Sequence, residues 1–312
     1  MPGSVLLLTD ARTDAHASPG HPERPARREA AAAGVRDAAG GRFVERIAEP
    51  ASDADLTRVH DPEYIAALSD AEARGGGWLD PDTYLVAGSM EAARLAAGAT
   101  IHAALAAAAG DAEVGFAAVR PPGHHARRDW GSGFCLLNHV AIAVEALRAV
   151  GAARRLAIVD WDVHHGNGTE AIFGGDPDLI YASTHQYPFY PGTGAASDDG
   201  GGVAHNRPLR AGDGDEVFVS AWSDELLPAI EAFGPEAILV SAGYDAHAAD
   251  PLAQLAVTEA GFEEVARLLG ATASRLGLPG VALTLEGGYD LDALRASVAA
   301  SVRGLIDGRE SA

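Results

Sequence analysis

The sequence predicts a single α/β domain in which a central, mostly parallel β-sheet is covered by helices on both faces. Three observations lead there. Of its 312 residues, 47% are hydrophobic and only 21% charged, enough for a sizeable core and unlike a disordered chain. Six short apolar runs rich in β-branched residues have strand length. Helical patterns lie between most of them, and a strand covered by crossover helices on both faces reads as a continuous apolar run.

In chain order, residues 5–8 follow Met1-Pro2-Gly3-Ser4 and form the first expected strand. The triple glycine 75–77 reads as a surface loop, and residues 91–109 as an alanine-rich helix, because alanine is the strongest helix former. Residues 114–119 form the next apolar run, followed by a helical pattern over 140–150. Runs at 156–159 and 179–182 precede a glycine-rich loop at 198–202 and a helical stretch at 225–233. The remaining pattern is a run at 237–240, a helix over 259–276 and a run at 281–285. No Pro/Ser-rich linker or internal repeat divides the chain, so 1–312 reads as one domain.

Charge narrows the partners. Lysine and arginine number 23 and the acids 44, so the formal charge is 23 − 44 = −21. Such a field repels phosphate backbones and anionic lipid and attracts cations, which argues against nucleic-acid and membrane partners. The lone Cys135 has no intrachain partner and reads as a small buried hydrophobe beside Phe134. Neither a signal peptide nor an apolar stretch of membrane-spanning length is read, so a cytoplasmic address is expected. The oligomeric state stays open.

Polar residues gather where the apolar runs end. Arg120-Pro121-Pro122-Gly123-His124-His125 follows one, and Asp160-Trp161-Asp162-Val163-His164-His165-Gly166-Asn167 the next. Ser183-Thr184-His185, Ser241-Ala242-Gly243-Tyr244-Asp245 and Glu286-Gly287-Gly288-Tyr289 follow three more. Open parallel sheets bind ligands at the carboxyl ends of their strands, so five segments are expected to converge. Asp160, Asp162 and His164 sit at i, i+2 and i+4, on one face of an extended chain. With Asp245 from a separate strand, Asp162 and His164 suit a divalent metal; zinc is expected, with manganese or iron open on ligand type alone. The tandem His124 and His125 are placed to act as base and acid, Asp160 and Asn167 to orient them, and Tyr289 to donate to an oxyanion. Gly-x-Ser-x-Gly, P-loop, His-Glu-x-x-His and Cys-x-x-Cys signatures are all missing.

These residues resemble the zinc-dependent histone deacetylase superfamily, in particular its class II-like bacterial members, the deacetylase-like amidohydrolases and acetylpolyamine amidohydrolases. The likeness runs from His21-Pro22-Glu23-Arg24-Pro25 through Val59-His60-Asp61-Pro62-Glu63-Tyr64, residues 120–126, 131–138, 160–168, 190–194 and 243–251, to residues 286–289. It implies an arginase-like fold forming one catalytic domain, with a single zinc on Asp162, His164 and Asp245. His125 would be general base and then acid, His124 would assist while paired to Asp160, and Tyr289 would polarise the scissile carbonyl. Gly133, Phe134 and Tyr190 would line an acyl-lysine channel, although the family often has phenylalanine where this chain has Tyr190. Asn167 stands where class I members carry aspartate, so His125 is expected to lose its proton more readily.

The likeness also implies structural potassium held by Asp160, Ser183 and backbone carbonyls, and a substrate-gripping rim carboxylate near Asp82. Polyamine-selective relatives can carry an acidic gatekeeper after the Asp-Pro that follows the third ligand. Here Asp250-Pro251 is followed by Leu252, which favours an acyl-lysine peptide or another small N-acyl amine over a polyamine. An arginase-like ureohydrolase with two manganese ions and an inactive acyl-lysine-binding module are the more distant alternatives.

Overall fold

The computed structural model describes residues 4–311. Met1, Pro2 and Gly3, the expected lead-in to the first strand and part of the segment read as lacking a signal peptide, lie outside the described residues. Ten strands are present among the rest: β1 (Val5–Leu8), β2 (Phe43–Arg46), β3 (Gly77–Trp78), β4 (Tyr84–Leu85), β5 (Val114–Ala117), β6 (Leu156–Asp160), β7 (Leu179–Gln186), β8 (Ala204–Leu209), β9 (Ala237–Ala242) and β10 (Val281–Leu285). Eight of them form one sheet in the order β2-β1-β5-β10-β9-β6-β7-β8, with every neighbouring pair parallel. The short β3–β4 hairpin is antiparallel and takes in Gly77, which the sequence places in a loop.

Each central strand feeds two cores. Along β6, Ala157 and Val159 point into one apolar cluster and Leu156 and Ile158 into the other. The first cluster is closed by helices Ala26–Ala39, Glu259–Arg275 and Leu291–Ser311, the second by Pro62–Ala73, Ser89–Ala109 and His139–Ala149. This is the α/β architecture expected from the strand and helix pattern.

One expectation about membranes needs correcting. The helix Ser89–Ala109 is long and apolar enough, by length and composition, to cross a membrane. Its apolarity serves the interior: most of it is buried, and Thr100 Oγ1 bonds Thr284 Oγ1 of β10 at 3.0 Å. A helix sandwiched between a sheet and another helix needs small apolar residues on most of its circumference.

The four central strands, β5, β10, β9 and β6, each release a loop at their carboxyl ends on the same edge of the sheet. Asp160 is the last residue of β6, and Ser183-Thr184-His185 lies inside β7, which runs four residues beyond the apolar run that marks it in the sequence.

Candidate active site

The loops after β6, β9 and β10 interlock through backbone-to-carboxylate hydrogen bonds. Val163 N donates to Asp245 Oδ1 at 2.9 Å, Gly287 N to Asp162 Oδ2 at 2.8 Å, and His164 N to Asp162 Oδ1 at 2.8 Å. Asp162, His164 and Asp245 are thereby brought together with one ligand atom each, all within 4.8 Å of one another. Among the described residues this is the one such cluster of His, Cys, Asp or Glu side chains. His164 Nδ1 faces both carboxylates, 3.0 Å from Asp162 Oδ1 and 3.2 Å from Asp245 Oδ2.

Two features fit this cluster to a cation. Asp245 Oδ2 is buried and accepts no aligned hydrogen bond, so it keeps a lone pair that an ion would engage. Gly243 and Gly287 form a cradle in which a side chain has no room: a Cβ on Gly243 would collide with Asp162 Oδ2, and one on Gly287 with Asp245 Oδ2. Two carboxylate oxygens and one imidazole nitrogen match the donors that zinc accepts. Without an ion, burial opposes a charge on His164, but Asp162 and Asp245 outweigh it and raise the imidazole to about 10. Burial and the charge of Asp162 raise the carboxyl of Asp245, while Asp162 itself is held low by His124 and His164 against its burial. A bound cation would replace that proton.

The tandem histidines differ in their partners. His124 Nδ1 lies 3.0 Å from Asp160 Oδ2, and His125 Nδ1 lies 2.7 Å from Asn167 Oδ1. Burial disfavours charge on both rings. On His124 the carboxylates of Asp160, Asp162 and Glu286 overcome it and raise the ring to about 10, whereas burial, His124 and His164 push His125 well below the ordinary imidazole range. The histidine turn is pinned by a residue the sequence reading left without a role. Glu286 accepts Gly123 N at 2.6 Å and His124 N at 3.1 Å, and Ser241 Oγ donates to it at 3.1 Å.

Tyr289 is fixed from two sides. Its backbone N donates to Asp250 Oδ2 at 2.7 Å, and the Arg27 guanidinium lies 4.7 Å from its ring centroid. Arg27 also donates to the carbonyl oxygens of Gly288, at 2.6 Å, and Glu286. A fully buried Glu23 carboxylate in turn holds Arg27 and Arg120.

A cavity of about 220 Å³ opens over the cluster. Its lining includes His124, His125, Asp162, His164 and Tyr289 below, with Gly133, Phe134, Tyr190, Leu252 and Asp82 around them. Asp160, Asn167 and Ser183 lie behind this lining and act through the residues they touch, while Asp245, also behind it, offers its oxygen to the cluster itself. Gly133 has a positive φ of 57°, and a Cβ there would strike the His125 ring. Phe134, at φ 70°, is the one non-glycine residue in the left-handed region among the described residues; its N–H donates to Thr83 Oγ1 at 3.0 Å, and Thr83 Oγ1 donates to Asp82 Oδ1 at 3.0 Å. Burial and then Asp80 raise the carboxyl of Asp82. Phe189 completes the wall, stacked on His164 with centroids 5.5 Å apart, although nothing but its place beside Tyr190 marks it in the sequence.

Asp160 and Ser183 are register partners across β6 and β7. Their side-chain oxygens already engage protein groups: Asp160 takes Tyr181 Oη at 3.0 Å, His124 and Asp162 N, and Ser183 Oγ pairs with His185 Nδ1 at 2.9 Å. Cys135 is fully buried, and burial raises its thiol well above the usual range, consistent with packing rather than nucleophilic chemistry.

Residues 21–305 match the histone deacetylase domain family. A probable deacetylase of Archaeoglobus fulgidus is 41% identical over 284 residues, covering 88% of this chain and 78% of that protein. A histone deacetylase-like amidohydrolase of Pseudomonas aeruginosa is 40% identical over 256 residues, covering 80% and 67%. The crystal structure of the HDA15 HD domain superposes with a TM-score of 0.90 at 37% identity, covering 97% of this chain and 88% of that one. With both the full-length fold and the family sequence matched, this chain belongs to the histone deacetylase domain family.

Proposed function

We propose that this protein is a zinc-dependent amidohydrolase that removes an acetyl or short acyl group from an N-acylated amine, with acyl-lysine in a peptide as its substrate. The observation that carries the reading is the convergence of Asp162, His164 and Asp245 beneath a cavity that Asp162 and His164 line and onto which a neutral histidine and a tyrosine also open. Asp162, His164 and Asp245 would hold the zinc, which when bound polarises a carbonyl and acidifies water.

The chain's own groups supply the remaining chemistry. Asn167 Oδ1 can only accept, so His125 donates from Nδ1 and keeps the Nε2 lone pair free. His125, uncharged across the neutral range, takes the proton of the attacking water at Nε2 and returns it to the leaving amine. His124, charged against Asp160, adds positive potential beside the developing anion. The Tyr289 hydroxyl donates to the substrate carbonyl oxygen as its charge grows, leaving a carboxylate and a free amine. Phe134, Phe189 and Tyr190 give the apolar wall that a lysine side chain requires, and Asp82 at the rim is placed to accept backbone N–H groups of a peptide.

A fluorogenic acetyl-lysine peptide, assayed with chelator and then with zinc restored, tests this reading. Zinc-restorable cleavage is the expected result, and a fully loaded protein without turnover would indicate a binding module instead. Competing acetylputrescine, acetylspermidine and longer acyl-lysines in the same assay ranks the polyamine alternative. One metal per chain by elemental analysis excludes a two-manganese ureohydrolase.

A further inference from the structure

Phe189 and Tyr190 face the metal cluster from a segment that leaves the end of β7, and this segment is anchored at its far end by two buried imidazoles. His165 Nδ1 lies 2.8 Å from Thr193 Oγ1, and its Nε2 lies 3.0 Å from Glu170 Oε2. Asn206 Nδ2 donates to the same Glu170 oxygen at 2.7 Å. One residue on, His185 Nε2 donates to the Gly194 carbonyl at 2.6 Å while its Nδ1 pairs with Ser183 Oγ. The fit is close: a Cβ on Gly194 would sit 2.5 Å from His185 Nε2 and 2.6 Å from the His165 ring.

The donor pattern is determined by what each partner can do. A carboxylate only accepts, so His165 donates from Nε2 to Glu170, while its Nδ1 pairs with the Thr193 hydroxyl, which can serve as donor or acceptor. The clamp therefore connects Thr193 to Glu170 through the His165 ring. His165 also follows the ligand His164 directly, on whose ring Phe189 stacks, while the Tyr190 ring stands edge-on to His125 with centroids 5.1 Å apart. Wall and metal loop thus share one anchor.

Building on the acyl-lysine reading, we infer that Thr193, His165 and Glu170 form a positioning clamp that sets the width of the channel between Phe189, Tyr190 and Phe134, and with it the acyl groups admitted. None of the three touches the substrate. Their effect is to hold two aromatic walls against the space an acyl-lysine would fill.

The test uses the full-length protein with Thr193→Val, which keeps shape and loses the hydroxyl, Glu170→Gln, and Thr193→Ser as the conservative rescue. Hydrogen–deuterium exchange reads the clamp without any need for turnover. Faster exchange confined to residues 187–195 in Thr193→Val and Glu170→Gln, but not in Thr193→Ser, is expected. Unchanged exchange in correctly folded Thr193→Val overturns the clamp. In the assay, KM for the acetyl-lysine peptide should rise about fivefold in Thr193→Val, the worth of one hydrogen bond, with a smaller change in kcat. The preference for acetyl- over butyryl-lysine should fall and be restored by Thr193→Ser. Faster exchange with unchanged KM and acyl preference would overturn the role in channel width. A wild-type protein inactive on every acyl-lysine would instead count against the functional reading, with the exchange result still deciding the clamp.

Discussion

His125 and Asn167 meet at 2.7 Å, imidazole Nδ1 to amide oxygen, where the neighbouring His124 meets a carboxylate instead. An amide fixes the tautomer but stabilises the imidazolium less than a carboxylate would, and burial with His124 and His164 nearby pushes His125 well below its ordinary range. Asn167→Asp places a negative charge on that nitrogen and raises the pKa of His125. The base must be unprotonated, so the acid limb of kcat/KM against pH should move to higher pH in the variant. At pH 6 the variant should lose more activity than at pH 8. Coincident acid limbs for both proteins would remove His125 as the base.

Gly287 is predicted to be necessary for metal binding through its missing side chain. A Cβ at this position would collide with Asp245 Oδ2 and crowd Asp162 Oδ2, displacing the two carboxylates that would hold the ion. Gly287→Ala should therefore fold while its zinc content, measured by elemental analysis after dialysis, falls well below one per chain. The same measurement on His164→Ala should show loss of stoichiometric metal. Full zinc occupancy in Gly287→Ala would mean that the ion sits elsewhere.

Tyr289→Phe removes one hydroxyl and leaves the ring between Arg27 and Phe134. If the phenol is an oxyanion donor, kcat should fall on the order of 10²–10³ while KM changes little. Zinc content should be unchanged, because no ligand is touched. A variant retaining wild-type kcat would show that the ring only packs.

The parts of this molecule that are legible in its sequence are those buried on both sides. β5, β6, β9 and β10 read as unbroken apolar runs because helices cover each face, and the chemistry-bearing residues stand out against them. The edge strands β2 and β8 do not read that way. Phe43-Val44-Glu45-Arg46 and the segment Ala204–Leu209, with His205, Asn206, Arg207 and Pro208, are tolerated because an edge strand leaves one side unpaired. Helix Ala26–Ala39 is hidden for a different reason: its buried face carries Arg27 and Arg28, which a hydrophobic pattern scores as surface. Arg27 becomes intelligible only when Glu23, Arg120 and the Gly288 carbonyl surround it. Glu286, Asp250 and Phe189 were likewise missed because their roles depend on contacts with distant segments, which spacing along the chain does not encode.

The buried Glu23 gives a prediction about stability. Its carboxylate lies 3.2 Å from Arg27 Nη1 and 2.5 Å from Arg120 Nη2, with all three side chains inaccessible to solvent. Burial alone would raise its pKa, but the two guanidiniums outweigh that and hold it below its ordinary value of 4.5. Glu23→Gln leaves two buried cations without their counter-ion, and breaking such a network costs about 3–5 kcal/mol. The variant should unfold at markedly lower urea concentration at pH 7, in chelated as well as zinc-loaded protein. Because the folded pKa is depressed, the carboxylate's contribution is complete above pH 4.5 and is lost as pH falls below it. The gap between wild type and Glu23→Gln should accordingly narrow on acidification, through loss of stability in the wild type. Equal midpoints at pH 7 would show that Arg27 and Arg120 are held by other contacts, and with them the Gly287-Gly288-Tyr289 turn.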